Sequence, residues 1–295
     1  GKKLGQKPVR YAFAIGEYSE EDLSKALGIS IHSGNGLGKD FFCSGLVLRD
    51  LIVFPANETV GLITANSAKQ VEDVFSKEVQ RHIKRSPVEL WRYIIVDREG
   101  VYAAQGGGGK KSETTFYTKR TAVVRGSEDE QGESLKGIHG PYMKLILDEA
   151  SGLPDGVFRP IEVTLTGKCN FVILIGNPTR SSGYFYRSHY DPLEAGFWVK
   201  VRWNAEESDM DTIQPGLSAQ IERMRKYGED SPAYRIGVLG LPPLVDQNAL
   251  IPMDWILDAV DRDIEPDPDA PLVFGVDVGR GGDKSAICPR KGGKV

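Results

Sequence analysis

Short apolar runs alternate along the chain with stretches whose apolar residues recur at helical spacing. Gly28–Ile31 reads as a strand that leads into a glycine-rich turn, and Phe41–Leu51, apolar nearly all round, as a helix buried beside a sheet. Thr59–Thr64 reads as a buried strand. From Ser67 the period changes, with Val71, Val74, Phe75, Val79 and Ile83 on one helical face, Ser67 as the N-cap and Pro87 as the stop. Tyr93–Val96, Thr114–Tyr117 and Ala122–Val124 read as strands, and the Gly106–Gly109 tract with Lys110 and Lys111 as a flexible hairpin loop that can meet phosphates. Leu145–Leu147 and Phe171–Ile175 are further buried strands, Trp198–Trp203 alternates like an edge strand, and Ser218–Lys226 reads as an exposed helix. The acid- and proline-rich Asp261–Pro271 reads as a linker before a fresh buried strand, Leu272–Val278. The alternation predicts an α/β fold with a mainly parallel sheet over residues 1–240, a linker region over 241–268 and the start of another domain over 269–295.

Composition narrows the class without changing that picture. In 295 residues, 40% are hydrophobic and 26% charged, which is globular and excludes disorder throughout. The net charge of −4 gives no global attraction to nucleic acid or to an anionic membrane, so any DNA contact needs a local basic patch. Apolar runs such as Phe171–Ile175 fall far short of the ~18 residues of a membrane span, and no signal-peptide pattern opens the chain. Cys43, Cys169 and Cys288 are widely spaced and read as reduced structural thiols of a cytosolic protein. His32, His82, His139 and His189 have no zinc spacing and offer little; His82 reads as a packing edge, and a place near a nucleotide is the lesser of the readings open to His139.

Chemistry concentrates in three places. Ser33-Gly34-Asn35-Gly36-Leu37-Gly38-Lys39-Asp40 follows a strand and opens a helix, so its backbone N–H groups and Lys39 can converge on phosphate. Asp40 stands where a P-loop carries Ser or Thr; its carboxylate is a hard oxygen donor suited to Mg²⁺, and it also brings negative charge near a polyphosphate. Asp148 and Glu149 close an apolar run, which places Asp148 at a strand's carboxyl end for Mg²⁺ and Glu149 as the base that activates water. Asn177 and Thr179 follow the next strand, where they can contact a γ-phosphate or the attacking water. The pattern makes a P-loop ATPase the leading reading, with Mg²⁺ on the nucleotide's phosphates; the preference for ATP over GTP rests on a family resemblance.

In order and spacing these motifs resemble the large terminase subunit of tailed double-stranded DNA bacteriophages. Ser33–Lys39 is similar to its first Walker motif with Ser for the leading Gly, Leu145–Ser151 to the second, and Leu174–Arg180 to the motif that couples hydrolysis to movement. Gly183–Tyr186, Val238–Pro242, Leu250–Pro252 and Phe274–Gly279 follow in the family's order, so the similarity runs over residues 29–288. The resemblance implies a three-layer ASCE-type ATPase domain joined to an RNase H-like nuclease. Asp277 would be the first acidic ligand there for two divalent metals, Mg²⁺ or Mn²⁺. With the chain ending at Val295 the remaining ligands are expected to be missing, and this chain is not expected to cut DNA. His32 stands where many relatives carry Arg. Tyr11 or Phe13 are the candidates to stack on a base, and Arg125, Arg159, Arg180 or Lys136 the candidate transition-state cations.

By the same resemblance the chain would move double-stranded DNA into a procapsid in the host cytoplasm. Its partners would be the portal protein, the small terminase subunit and further copies of itself in a ring; the fragment alone can be a monomer. Two other classes stay open: a helicase-like or repair ATPase with the same core, and a non-hydrolysing scaffold, disabled at Asp40, that docks DNA or the portal.

Overall fold

The computed structural model describes residues 25–53, 58–67, 69–106, 109–122, 139–165, 170–208, 216–244, 265–279 and 285–294. The chain divides into two compact units, Gly1–Asp246 and Gln247–Val295. The first is built on an eight-stranded sheet in the order β3-β4-β5-β2-β6-β7-β1-β8. Its strands are β1 (Gly28–Ser33), β2 (Thr59–Ala65), β3 (Ile94–Val96), β4 (Gly100–Gln105), β5 (Lys110–Thr121), β6 (Tyr142–Asp148), β7 (Phe171–Gly176) and β8 (Trp198–Trp203). Across the sheet all pairings from β5 to β8 are parallel, and only β3–β4 and β4–β5, at one edge, are antiparallel.

The central strands read as unbroken apolar runs because both faces of the sheet are covered. Ile29, Ile31, Ile63, Ile146, Ile173 and Ile175 point to one side, where they meet Val47 and Leu51 of α1 (Lys39–Val53) and Val79 of α2 (Ser76–Arg85). Leu62, Leu145, Leu147, Val172 and Leu174 point to the other, against Phe158 and Ile161 of α3 (Phe158–Thr164) and Phe185 of α4 (Tyr184–Tyr190). A third, smaller cluster joins Ala205, Tyr234 and Val238 to Leu217 of α5 (Leu217–Arg225), and Leu37 of the glycine-rich loop packs against it.

Several expectations change in detail. Thr114–Tyr117 is the middle of the long strand β5, whose hairpin partner β4 has no strong apolar alternation to mark it. The segment after Ser67 is helical, but its first turns, Gln70–Phe75, are wound as a π-helix. Phe41 stays 41% exposed on α1, since the outer face of a helix beside a sheet still meets solvent. His139 is exposed and precedes β6, at the end of the sheet away from Asp148, which removes it from any site at the strands' carboxyl ends.

In the second unit, β9 (Leu272–Asp277) pairs antiparallel with β10 (Ala286–Lys291). The expectation of a buried strand fails: Phe274 is 58% and Val276 60% exposed. Among the described residues of this unit no further strand or helix covers the apolar face of the two-stranded ribbon. Tyr11, Phe13, Val124, Arg125, Lys136, Cys169 and Leu250–Pro252 lie outside the described residues. Among the described residues no helix is long and apolar enough to cross a membrane.

Candidate active site

Strand register assembles the three chemical segments. Asp148 on β6 stands opposite Ile175 on β7, and Gly176 on β7 opposite His32 on β1. The segments that follow these three adjacent parallel strands therefore emerge side by side at their carboxyl ends, where open α/β sheets place ligands.

The loop after β1 turns through Gly36 (φ 73°) and Gly38 (φ 78°), left-handed positions that glycine occupies without steric cost. Helix α1 begins at Lys39, with Asp40 in its first turn, so the N–H groups there lack intrahelical partners and face an anion favourably. The loop's entry is anchored instead of free: Gly34 N–H donates to Trp203 O (2.9 Å) and Asn35 N–H to Gly237 O (2.7 Å). Ser33 is buried and its hydroxyl donates to Gly34 O at 2.8 Å.

Lys39 Nζ donates to Asn177 Oδ1 at 3.0 Å and lies 3.4 Å from Glu149 Oε1. Asn177 is fixed in turn, its amide donating to Ser33 O at 2.7 Å. Thr179 is held by Ser151, two residues beyond Glu149: the hydroxyls are 2.9 Å apart, and Thr179 N–H donates to Ser151 Oγ at 3.1 Å. The structure thus brings Lys39, Glu149 and Asn177 together, with Thr179 tied to the acidic turn. Arg180 is exposed.

Glu149 has φ 48° and ψ 43°, the left-handed region that a side chain bearing a Cβ disfavours. Such a conformation costs on the order of 1–3 kcal/mol and persists only where its surroundings enforce it. Here Glu149 N–H donates to Asp148 Oδ1 at 2.9 Å, and Gly176 lets the turn lie close against β7. A Cβ on Gly176 would sit 3.0 Å from Ala150 N and 3.2 Å from Glu149 Cα.

Electrostatically the site is short of positive charge. Burial first, then the carboxylates of Asp40 and Glu149, push the Asp148 carboxyl well above the usual carboxylate range, against the pull of Lys39. Cys43, one turn into α1, is buried, and its thiol is raised by that burial and by the same Asp148 and Asp40. A divalent cation between Asp40 and Asp148 would relieve this crowding, so the donor set fits Mg²⁺ brought with a polyphosphate. Among the described residues no three His, Cys, Asp or Glu side chains form a metal-holding group by themselves. Asp277 stands in the separate unit, at the end of β9.

Sequence reasoning missed the surrounding shell. Gln70 Nε2 donates to Asp148 Oδ2 at 3.4 Å. His32 and His189 stack with ring centroids 3.5 Å apart beneath the loop. Asp50, Tyr117 and Lys144 form a buried network on the far part of α1. None of these lies within a recognisable spacing of its partners.

No family model matches the chain. A curated relative, the probable large terminase subunit of Enterobacteria phage P7, is 30% identical over 298 residues; the match covers 96% of this chain and 56% of the relative. Among solved structures, the large terminase of bacteriophage HK97 superposes with a TM-score of 0.56 at 13% identity, covering 99% of this chain and 61% of that one. The large terminase of a thermophilic bacteriophage, in complex with ADP, gives 0.55 at 14% identity, over 89% and 62% of the two chains. The same thermophilic phage's terminase in complex with ATP-γ-S gives 0.54 at 15% identity, over 93% and 62%.

Proposed function

The chain belongs to the large terminase subunits of tailed phages, and on that premise we propose that it is their ATP-hydrolysing motor domain. It spans 56% of its curated relative, so the activity of the whole protein is part of the proposal. The observation that carries the reading is the convergence of Lys39 on Asn177 and Glu149 at the mouth of a glycine loop. The thermophilic phage's terminase, solved in complex with ADP and with ATP-γ-S, supports it by shared fold.

The phosphates would be cradled by the 33–40 loop, in which Gly36, Leu37, Gly38, Lys39 and Asp40 offer N–H groups while those of Gly34 and Asn35 brace the entry. Lys39, now shared between Glu149 and Asn177, is placed to exchange those partners for a phosphate oxygen. That exchange frees the Glu149 carboxylate to take a proton from water. Asn177 would report the γ-phosphate through its bond to Ser33 and through Thr179 and Ser151. Asp40 and Asp148 would hold Mg²⁺, which supplies neutralisation of the charge that develops on the phosphates.

The fold is read as a three-layer ASCE-type core, with β9–β10 as the opening of an RNase H-like nuclease in which Asp277 would bind Mg²⁺ or Mn²⁺. The work done would be translocation of double-stranded DNA into a procapsid in the host cytoplasm, through backbone contacts that ignore sequence. The partners would be the portal protein, the small terminase subunit and other copies of the chain in a ring. Steady-state MgATP hydrolysis with and without duplex DNA tests the reading. Turnover stimulated by DNA and abolished in Lys39→Ala is expected; turnover that survives in Lys39→Ala would refute it.

A further inference from the structure

Asp148 is gripped at both oxygens, and one grip comes from outside every motif named above. Oδ1 accepts the Glu149 N–H at 2.9 Å, and Oδ2 accepts the side-chain amide of Gln70 at 3.4 Å. We infer that Gln70 is a positioning residue, whose amide fixes the plane in which the Asp148 carboxylate meets the divalent metal carried with the nucleotide. The inference rests on the nucleotide-hydrolysing reading above.

Local structure explains why this residue can do so. After β2 ends, Ser67 accepts the Gln70 N–H on its hydroxyl at 3.2 Å, and its carbonyl accepts the Val71 N–H at 3.3 Å. The chain then winds as the π-helix Gln70–Phe75, a widened turn of a kind that recurs at functional sites. Val71 and Phe75 are buried in the core on one side of it. Lys119 Nζ, from β5, also donates to Glu72 Oε2 (2.8 Å), Ser76 Oγ (2.9 Å) and Asp97 O (2.6 Å). With the turn held by the core and by Lys119 of β5, the Gln70 backbone is fixed after β2 and its amide has a defined reach.

Charge explains why the residue is an amide. Asp40, Asp148 and Glu149 crowd one another, and a carboxylate left to itself would rotate away from its neighbours. A lysine here would supply the charge that the metal is to supply and would compete with it. A neutral N–H donor orients the carboxylate and leaves its charge for the cation, as partners behind a metal's ligands do.

The test uses Gln70→Leu and Gln70→Met, which keep the bulk and remove the donor. Mn²⁺ binding to the ADP-loaded protein, followed by electron paramagnetic resonance, should weaken roughly tenfold in both. ADP affinity in EDTA and the thermal midpoint should stay at the wild-type values. In turnover, the Mg²⁺ concentration for half-maximal rate should rise while KM for ATP at saturating Mg²⁺ does not. Folded variants that titrate Mn²⁺ like the wild type would overturn the inference alone. Loss of fold in both would assign the contact to stability and overturn it as well. A wild-type chain that binds neither ADP nor Mn²⁺ would overturn the nucleotide reading and this inference with it.

Discussion

Glu149 carries both the chemistry and the strain of the site. Its backbone is left-handed, and its carboxylate lies within an ion pair of Lys39. Glu149→Gln keeps the shape and removes the base, so turnover should fall by about 10²–10⁴-fold. A second residue-scale test lies away from the site, where Tyr117 OH donates to Asp50 Oδ2 at 2.6 Å and Lys144 pairs with the same oxygen. Burial pulls the Lys144 amine down while the Asp50 carboxylate holds it up. Tyr117→Phe leaves that pair intact and should cost about 1–3 kcal/mol in urea unfolding. Asp50→Ala strands a buried ammonium and should cost more, about 3–5 kcal/mol. Equal losses in the two variants would contradict the network.

At the scale of elements, the site depends on how closely the turn after β6 lies against the end of β7. Gly176→Ala would force the Glu149 turn aside, and a displacement of that kind lowers kcat by roughly tenfold or more. ATP affinity should change little, because the loop on β1 is untouched; a KM effect without a kcat effect would show that the turn tolerates the methyl. This level also shows what the chain's pattern could and could not tell. That the segments carrying Lys39, Asp148, Glu149 and Asn177 leave strand ends was legible because each sits in a short run with its own physical signature: glycines before a cation, or apolar strands that end in polar groups. The parallel sheet was legible from the same runs. Strand β4 was not, since Gly100, Ala103 and Ala104 give it little apolar contrast. Nor were the partners that meet only in three dimensions. Gln70 reaches Asp148 across 78 positions, and Tyr117 reaches Asp50 across 67. The carbonyl of Gly237 that braces Asn35 N–H belongs to a distant π-helical turn. Such contacts leave no periodicity behind.

At the scale of the folded unit, two buried histidines set how stability responds to acid. His32 is 1% exposed, bonds through Nε2 to Phe185 O at 3.2 Å and stacks on His189, whose Nε2 lies 3.0 Å from Ser30 O. Burial lowers His32 from 6.5 to about 4, and burial plus the neighbouring His32 lowers His189 further. These two imidazoles therefore bind more protons in the unfolded chain than in the folded one between about 6.5 and 4, while the raised Asp148 carboxyl works in the opposite direction as one group against two. Stability contributed by the neutral pair is complete above the unfolded value and is lost as pH falls through that window. The thermal midpoint should drop accordingly, and less steeply in His189→Gln; identical pH profiles would contradict the buried neutral pair.

The central claim is that one site both binds and hydrolyses ATP, with Glu149 needed only for the second. ATP binding and single-turnover hydrolysis, measured side by side on the wild type and Glu149→Gln, test it most directly. The account predicts wild-type affinity in the variant and single-turnover hydrolysis slowed by the same factor of about 10²–10⁴. Loss of binding and turnover together, or turnover at the wild-type rate, would contradict it.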